Sequence, residues 1–208
     1  MSRRPPRRLS GMTMIDLGPA CRRLAALVEA IPDERLGDPT PCPPSTLADL
    51  LDHVSGLSHA FTLAARKDLT EPMLHQPPPP PDGGRLGPGW RSRIAAQLEE
   101  LAAAWRDPDA WTGTTKAGGV DLPGEVAGLV ALDEVVLHGW DVARASGQPF
   151  TCDEASLEAI EQFLAPSAEP GNEAEREGLF GPVVPVPPGA SRLDRVLGMA
   201  GRDPAWPG

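Results

Sequence analysis

The sequence predicts an all-α protein built on a four-helix bundle. Apolar residues recur every three or four positions in four long segments, no segment of normal strand length alternates cleanly, and prolines and glycines collect between the periodic segments. The 208 residues include 26 Pro and 22 Gly, a load close to that of disordered chains, but 40% of them are hydrophobic. One globular domain with proline-rich connections satisfies both facts, and the chain is long enough to bury a core.

The first two predicted helices lie in the first third of the chain. Apolar residues repeat at helical spacing from Leu17 to Ile31, and Asp16 is placed as the N-cap. Thr46 and Asp49 form the capping-box pattern that opens the second helix, which is expected to run to about Arg66. Residues 67–89 contain five consecutive prolines and read as a spacer long enough for a crossover, so a simple up-down order is not implied.

The second half of the chain predicts two more long helices and two short ones. The third helix is expected from Trp90 to Trp105 and the fourth from Gly124 to Ser146, with a short hairpin around 117–119 between them. Gly147 suits the residue that ends the fourth helix. Two capping patterns, one at Thr151 and Glu154 and one at Ser191 and Asp194, predict the short C-terminal helices.

Charge and cysteine usage exclude several classes of protein. The net charge is −10, from 29 acidic and 19 basic residues, which disfavours nucleic acid as a partner. Cys21, Cys42 and Cys152 are far apart and odd in number, so neither a disulfide framework nor a zinc knuckle is indicated and a cytoplasmic location fits best. No apolar stretch of 18 residues is present, so no membrane-spanning helix is expected.

The ends of the chain are expected to lie outside the folded domain. Residues 1–13 are rich in Arg and Pro, but no apolar run of signal-peptide length follows them, so they are interpreted as a disordered leader. The domain is predicted to span residues 14–204, with 205–208 as a C-terminal tail. The excess of Arg over Lys, with much Ala, Pro and Gly, is typical of a bacterial genome of high GC content.

Three side chains form a candidate metal site. Glu134 and His138 are four residues apart and therefore share one face of the fourth helix. His53 lies at the edge of the apolar stripe of the second helix, so all three converge if these two helices are neighbours. Three nitrogen and oxygen ligands that leave a position open are typical of catalytic zinc sites. The pattern alone also fits an ordinary surface Glu/His pair with a separate core histidine.

Three stretches of this sequence resemble the mycothiol-dependent maleylpyruvate isomerase N-terminal family, within the DinB-like metalloprotein superfamily. Together they extend from about Ile15 to Pro204. The stretches are Thr40-Pro41-Cys42 with Thr46-Leu47-x-Asp49-Leu50-x-x-His53-Val54, Ala131-Leu132-Asp133-Glu134 to His138-Gly139-Trp140-Asp141, and Phe180-Gly181-Pro182 with Gly201-Arg202-Asp203-Pro204.

The resemblance implies a DinB-like four-helix bundle with long loops and additional short C-terminal helices. It also implies a divalent metal, usually zinc, held by His53, Glu134 and His138. Members of this family use a low-molecular-weight thiol, mycothiol in actinobacteria, for S-transfer or isomerisation, so the expected partners are that thiol and a small electrophilic substrate. Either a monomer or a homodimer is compatible with it.

Two departures from the family pattern narrow this expectation. Ser45 stands where the family usually has Trp, and only 61 residues follow Gly147, so the chain resembles a shorter, single-domain branch. Maleylpyruvate isomerisation itself is therefore not the expected reaction. A non-catalytic metal-binding or ligand-sensing bundle and a purely structural helical protein are the alternatives.

Other polar residues near the motifs have two interpretations each. Cys42 is either a reactive thiol or a small residue in a turn, and Asp49 either orients His53 or caps its helix. Asp141, together with Trp140, is expected to serve packing or hydrogen bonding near the site, or to touch a ligand. Arg144 could receive an anionic substrate group or complement the end of its helix.

Overall fold

A computed structural model describes residues 14–176 and 178–207, so the predicted leader lies outside the described residues. Within them the chain folds into six α-helices and one two-stranded sheet, which confirms the all-α class. No helix in this part of the chain combines the length and the apolar character needed to cross a membrane. The elements are α1 (Gly18–Glu29), α2 (Leu47–Arg66), α3 (Trp90–Ala104), β1 (Thr114–Ala117), β2 (Val120–Pro123), α4 (Gly124–Ala145), α5 (Glu154–Ala168) and α6 (Arg192–Met199).

Helices α1 to α4 form the bundle. Helix α1 packs against α3 and α4, and α2 packs against the same two helices, so α1 and α2 lie across the bundle from one another. The steps between non-adjacent positions therefore fall between α1 and α2 and between α3 and α4, while the proline-rich connection joins the neighbours α2 and α3. Leu24, Leu51, Ile94 and Leu132, one from each helix, are at most 1% exposed and mark the core.

Capping hydrogen bonds explain where two of the helices begin. At α2 the backbone N–H of Asp49 donates to Thr46 Oγ1 at 3.3 Å, and the Thr46 N–H donates to Asp49 Oδ2 at 2.9 Å, which confirms the predicted capping box. Ser191 accepts from the N–H of Asp194 at the start of α6, also as predicted. Local sequence is sufficient at these positions because each cap joins residues three apart.

Two predicted caps are wrong. Helix α1 begins at Gly18 with Leu17 as its N-cap, although Asp16 Oδ1 still accepts from the Gly18 N–H at 2.9 Å. Helix α5 is capped by Asp153, whose carboxylate accepts from the N–H of Ser156 at 2.9 Å, and not by Thr151. A carboxylate two residues nearer the helix competes successfully with the threonine hydroxyl, because a charged acceptor makes the stronger hydrogen bond.

The predicted hairpin is present between α3 and α4. Strands β1 and β2 pair antiparallel, and Gly118 and Gly119 connect them with φ angles of 58° and 83°. Both angles lie in the left-handed region that glycine adopts most easily. The N–H of Gly119 donates to the carbonyl of Leu74 at 2.9 Å, which ties the hairpin to the proline-rich connection.

Candidate metal centre

The three predicted metal ligands lie together between α2 and α4. The imidazole rings of His53 and His138 have their centroids 5.0 Å apart and meet edge to face at 86°. Glu134 Oε2 is 3.0 Å from His138 Nε2. One ligand atom from each of these three residues lies within 4.8 Å of the other two. Helices α2 and α4 are neighbours, as the predicted convergence of the three side chains requires.

The site sits at the border between the core and solvent. The His138 side chain is 9% exposed and the Glu134 side chain 30%, while His53 is half-buried. His138 lies deepest because α4 is buried along most of its length, whereas one turn earlier the helix surface opens at Glu134. An arrangement of this kind holds ligands in place and leaves an approach for a small molecule from the side of Glu134.

The charges around His138 favour a cation. Burial works against a charged imidazole, but hydrogen bonds to Asp141 and Glu134 at its two ring nitrogens raise the pKa of His138 well above its usual value. Burial and the nearby charge of His138 lower the pKa of His53, so that ring is neutral with a free lone pair. Burial opposes ionisation of Glu134, yet its bond to His138 lowers the pKa of that carboxyl.

A bound divalent metal ion would replace the proton that the raised pKa of His138 otherwise keeps on its ring. A metal needs deprotonated imidazole and carboxylate ligands, and an N/O/N set with an open position suits zinc. Asp141 Oδ2 is 3.0 Å from His138 Nδ1, so this carboxylate fixes the ring orientation and leaves Nε2 facing Glu134 and His53. Carboxylates that orient metal-binding imidazoles in this way are common. The residues present therefore fit the group that the sequence predicts.

Asp141 connects the candidate centre to the C-terminal part of the chain. Its side chain is fully buried, and Oδ2 accepts from Cys42 Sγ at 3.1 Å and from Arg202 Nη2 at 3.1 Å in addition to His138. Burial opposes the charge on Asp141, but the bonds from His138 and Arg202 keep the pKa of this carboxyl below its usual value. The predicted role of Asp141 in hydrogen bonding beside the site agrees with these contacts.

Arg202 reaches this position because of a tight turn after α6. Gly201 has a φ of 80°, and a Cβ atom there would lie 2.8 Å from the backbone of Gly181. The Arg202 backbone N–H donates to Leu197 O at 2.8 Å, and Nη1 donates to Ala200 O at 3.1 Å. The sequence includes Arg202 in the third stretch of the family resemblance but assigns it no role, because no local spacing links it to α4.

A second cluster shares His138 but suits a metal less well. Cys42 Sγ, a His138 ring nitrogen and an Asp141 oxygen also lie within 4.8 Å of one another. Arg202 Nη2 is 3.4 Å from that sulfur and 3.1 Å from that carboxylate, so a guanidinium already supplies positive charge there. Repulsion from this charge disfavours a cation, and the His53, Glu134 and His138 set is the better candidate.

The other polar residues that the sequence offers as candidates lie away from the centre. Asp49 caps α2 and accepts from the Gly83 N–H at 2.8 Å, so its carboxylate serves the helix start and the following loop. His59 is exposed, and His75 Nε2 is 2.7 Å from the carbonyl of Leu69. Arg144 donates to the carbonyl of Trp206, close to the chain's last described residues.

The fold and the cluster together define a class of protein, an all-α DinB-like bundle with a candidate metal centre between its second and fourth helices. The family model of the mycothiol maleylpyruvate isomerase N-terminal domain matches residues 17–143, which is more than half of the chain. The chain belongs to this family.

Two proteins of Mycobacterium tuberculosis, one from each of two strains and both named only as uncharacterized, resemble the chain along most of its length. Each is 30% identical over 179 residues, which are 86% of this chain and 91% of the relative. A crystal structure of a histidine-to-alanine mutant of the mycothiol-dependent maleylpyruvate isomerase aligns with a TM-score of 0.56 and 18% identity. That alignment covers 71% of this chain and 66% of the solved chain, just under two thirds, and shows a common fold.

Proposed function

We propose that this protein is a divalent-metal-dependent enzyme that uses a low-molecular-weight thiol to act on a small electrophile. The observation that carries the proposal is the convergence of His53, Glu134 and His138, with ligand atoms within 4.8 Å of one another at the edge of the core. Family membership supports mycothiol as the thiol. The two imidazoles and one carboxylate support zinc as the metal. The reaction is S-transfer to the electrophile or its thiol-assisted isomerisation.

In the proposed mechanism the thiol is the nucleophile and the protein positions it. A divalent ion held by the two imidazoles and the carboxylate would bind the thiol sulfur and favour its thiolate near neutral pH. Asp141 accepts a hydrogen bond from Nδ1–H of His138 and so keeps Nε2 directed at the centre. The apolar walls of α2 and α4 limit the access of water to this point.

Both reactions begin with the formation of a bond between the thiol sulfur and a carbon of the electrophile. The thiolate electron pair forms an S–C bond to the electrophilic carbon. In S-transfer a leaving group departs with the pair of the bond that breaks, or a proton from water completes an addition to a double bond. In isomerisation the addition leaves a carbon–carbon single bond, which rotates before the sulfur departs again with its electron pair.

Metal analysis with matched histidine variants tests the proposal. Protein purified under zinc-replete conditions, and its His59→Ala variant, should each hold about one zinc per chain, because His59 is exposed and lies away from the centre. His138→Ala should lose most of it. The same samples are then assayed with mycothiol and model electrophiles, with chelator and after zinc is restored.

The possible results separate the candidate functions. A folded, zinc-replete protein without bound metal contradicts the metal centre. Bound metal without turnover of any thiol and electrophile pair supports the non-catalytic metal-binding alternative. Turnover that chelator removes and zinc restores supports the enzyme.

A further inference from the structure

A cleft lies where α1 and α4 meet the segment 150–153, which leads into α5. It has about 340 Å³ of room and is partly open to solvent, which places it at the lower end of the ~300–1,000 Å³ typical of small-molecule sites. A Cβ atom at Gly139 would lie 3.1 Å from Phe150 Cε2, so the missing side chain lets the Phe150 ring pack against α4. The lining residues are Pro19, Ala20, Arg23, Val135, Val136, Phe150, Thr151, Cys152 and Asp153.

The cleft is separate from the candidate metal centre. Glu134 and His138 face α2, whereas Val136 lies about 200° around α4 from Glu134, because each residue of a helix adds about 100°. Among the described residues that line the cleft, none is a proposed metal ligand. A molecule in the cleft would therefore not compete for the metal.

Arg23 supplies hydrogen-bond donors at the cleft. Its Nη2 donates to the carbonyl of Pro149, and this bond holds the guanidinium across the gap between α1 and the segment 150–153. In the described part of the chain this is the one hydrogen bond that the guanidinium makes, and its Nε has no partner. Arg23 can therefore donate to a ligand without giving up the bond that positions it.

Asp153 supplies an acceptor and balances the charge of Arg23. Its carboxylate caps α5 by accepting from the N–H of Ser156 at 2.9 Å and from the Ser156 hydroxyl at 2.8 Å. A carboxylate has about four acceptor positions, so it can accept one further hydrogen bond. With one guanidinium and one carboxylate among its lining residues, the cleft has no net charge to attract an ion of either sign.

We propose that this cleft binds a small uncharged molecule that carries a carboxamide on an apolar ring or a short chain. The carbonyl oxygen of the carboxamide accepts from Arg23, and its nitrogen donates to Asp153. The ring or chain lies against Ala20, Val136 and Phe150. A carboxylate or an amidinium of the same size finds a partner in one of the two charged residues and is repelled by the other.

Benzamide, benzoate and benzamidinium test the proposal, because they share one shape and differ in charge. Each is titrated into isotope-labelled, zinc-loaded full-length protein, and its dissociation constant is obtained from the NMR shifts of the Phe150, Thr151 and Cys152 amides. We expect benzamide to bind at least about threefold more tightly than either ion, since it gains a hydrogen bond with both residues and meets no like charge.

Three substitutions assign the binding to the two charged residues. Arg23→Met should weaken benzamide binding about fivefold, the effect of losing one hydrogen bond, and shift the preference toward benzamidinium. Asp153→Asn should shift it toward benzoate and keep α5 capped, because Asn is also a good N-cap. Arg22→Met removes the same charge from an exposed position of α1 outside the cleft and should leave all three affinities unchanged.

The location of the site is tested separately from its preference. Equal benzamide affinity in chelator-treated protein and in His138→Ala would support a site apart from the metal centre. Loss of binding in either sample would place the probe at the centre and overturn the proposal. It is also overturned if the amides of the cleft do not shift up to the solubility limit of benzamide, if either ion binds more tightly, or if Arg23→Met behaves like Arg22→Met. None of these outcomes bears on the proposed thiol chemistry.

Discussion

Replacing Arg202 by Met should destabilise the protein strongly, although the residue lies in the C-terminal segment outside the bundle helices. The Asp141 carboxylate is fully buried, its Oδ2 depends on His138, Cys42 and Arg202, and among the described residues its Oδ1 has no partner. Met fills a similar volume but leaves this charge without its guanidinium. Breaking a buried ion pair costs about 3–5 kcal/mol, and we expect the lower end, about 3 kcal/mol, because His138 still donates to Asp141.

The measurement is urea unfolding at pH 7 in the presence of chelator, with circular dichroism as the signal. The midpoint concentration should fall in Arg202→Met with the slope unchanged, and the melting temperature should fall by ~2–4 °C per kcal/mol. Arg195→Met is the matched control. Arg195 donates to Glu161 at 2.7 Å, but the two side chains are 42% and 24% exposed, so loss of this pair should cost below about 1 kcal/mol.

A double-mutant cycle separates the ion pair from general damage to the fold. Asp141→Asn alone leaves the Arg202 guanidinium unpaired, whereas Asp141→Asn with Arg202→Met removes both charges. The double variant should therefore be more stable than the sum of the single losses by at least about 1 kcal/mol, within the range measured for contacting pairs. Additive losses, or an Arg202→Met variant as stable as the Arg195→Met control, would refute the reasoning.

Two further predictions concern buried ionisable groups. Burial, and then the charge of Glu134, raise the pKa of Asp133 from 3.8 to about 8. Because the folded protein then holds a proton that the unfolded chain has lost, Asp133 opposes folding increasingly from about pH 4 to pH 8. Asp133→Asn should therefore gain stability over the unmodified protein by up to ~1.4 kcal/mol per pH unit in urea unfolding at pH 5, 6 and 7, and a difference independent of pH would contradict this. Burial raises the pKa of Cys21 and of Cys152 to about 12, so iodoacetamide at pH 8 should alkylate Cys42 first in peptide mapping of the folded protein, and faster labelling of either other thiol would count against it.

The helices were predictable because each depends on short-range rules. The Thr46 capping box begins α2, and Gly147, in the left-handed region with a φ of 68°, follows the end of α4. Each signal acts within a few residues, and both are found where the sequence places them. The prediction failed at α5, where Asp153 and Thr151 are both suitable caps within two residues and the charged carboxylate of Asp153 makes the stronger hydrogen bond. Boundaries set by such competition are not encoded in spacing alone.

The sequence predicts the three candidate ligands of the centre but not the residues that support them. Glu134 and His138 are linked by helical spacing, and His53 follows if α2 and α4 are neighbours. Arg202 and Asp133 could not be found in this way. Arg202 meets Asp141 only through the turn at Gly201, and the raised pKa of Asp133 results from burial on the core side of α4. Both depend on tertiary packing, which periodicity does not contain.

The charged side chains on α4 and the Arg202 guanidinium depend on one another for stabilisation. In the metal-free protein the carboxylates of Glu134 and Asp141 balance the charges of His138 and Arg202, and Asp133 retains its proton near neutral pH. A Glu/His pair on an ordinary helix surface needs none of these partners, because water stabilises both charges there. Here His138 is 9% exposed with a carboxylate at each ring nitrogen, so positive charge at its Nε2 is stabilised by the protein itself. A divalent cation would take the place of the Nε2 proton without requiring new charged groups, which is why the metal-centre interpretation accounts for Asp141 and Arg202 as well as for the three ligands.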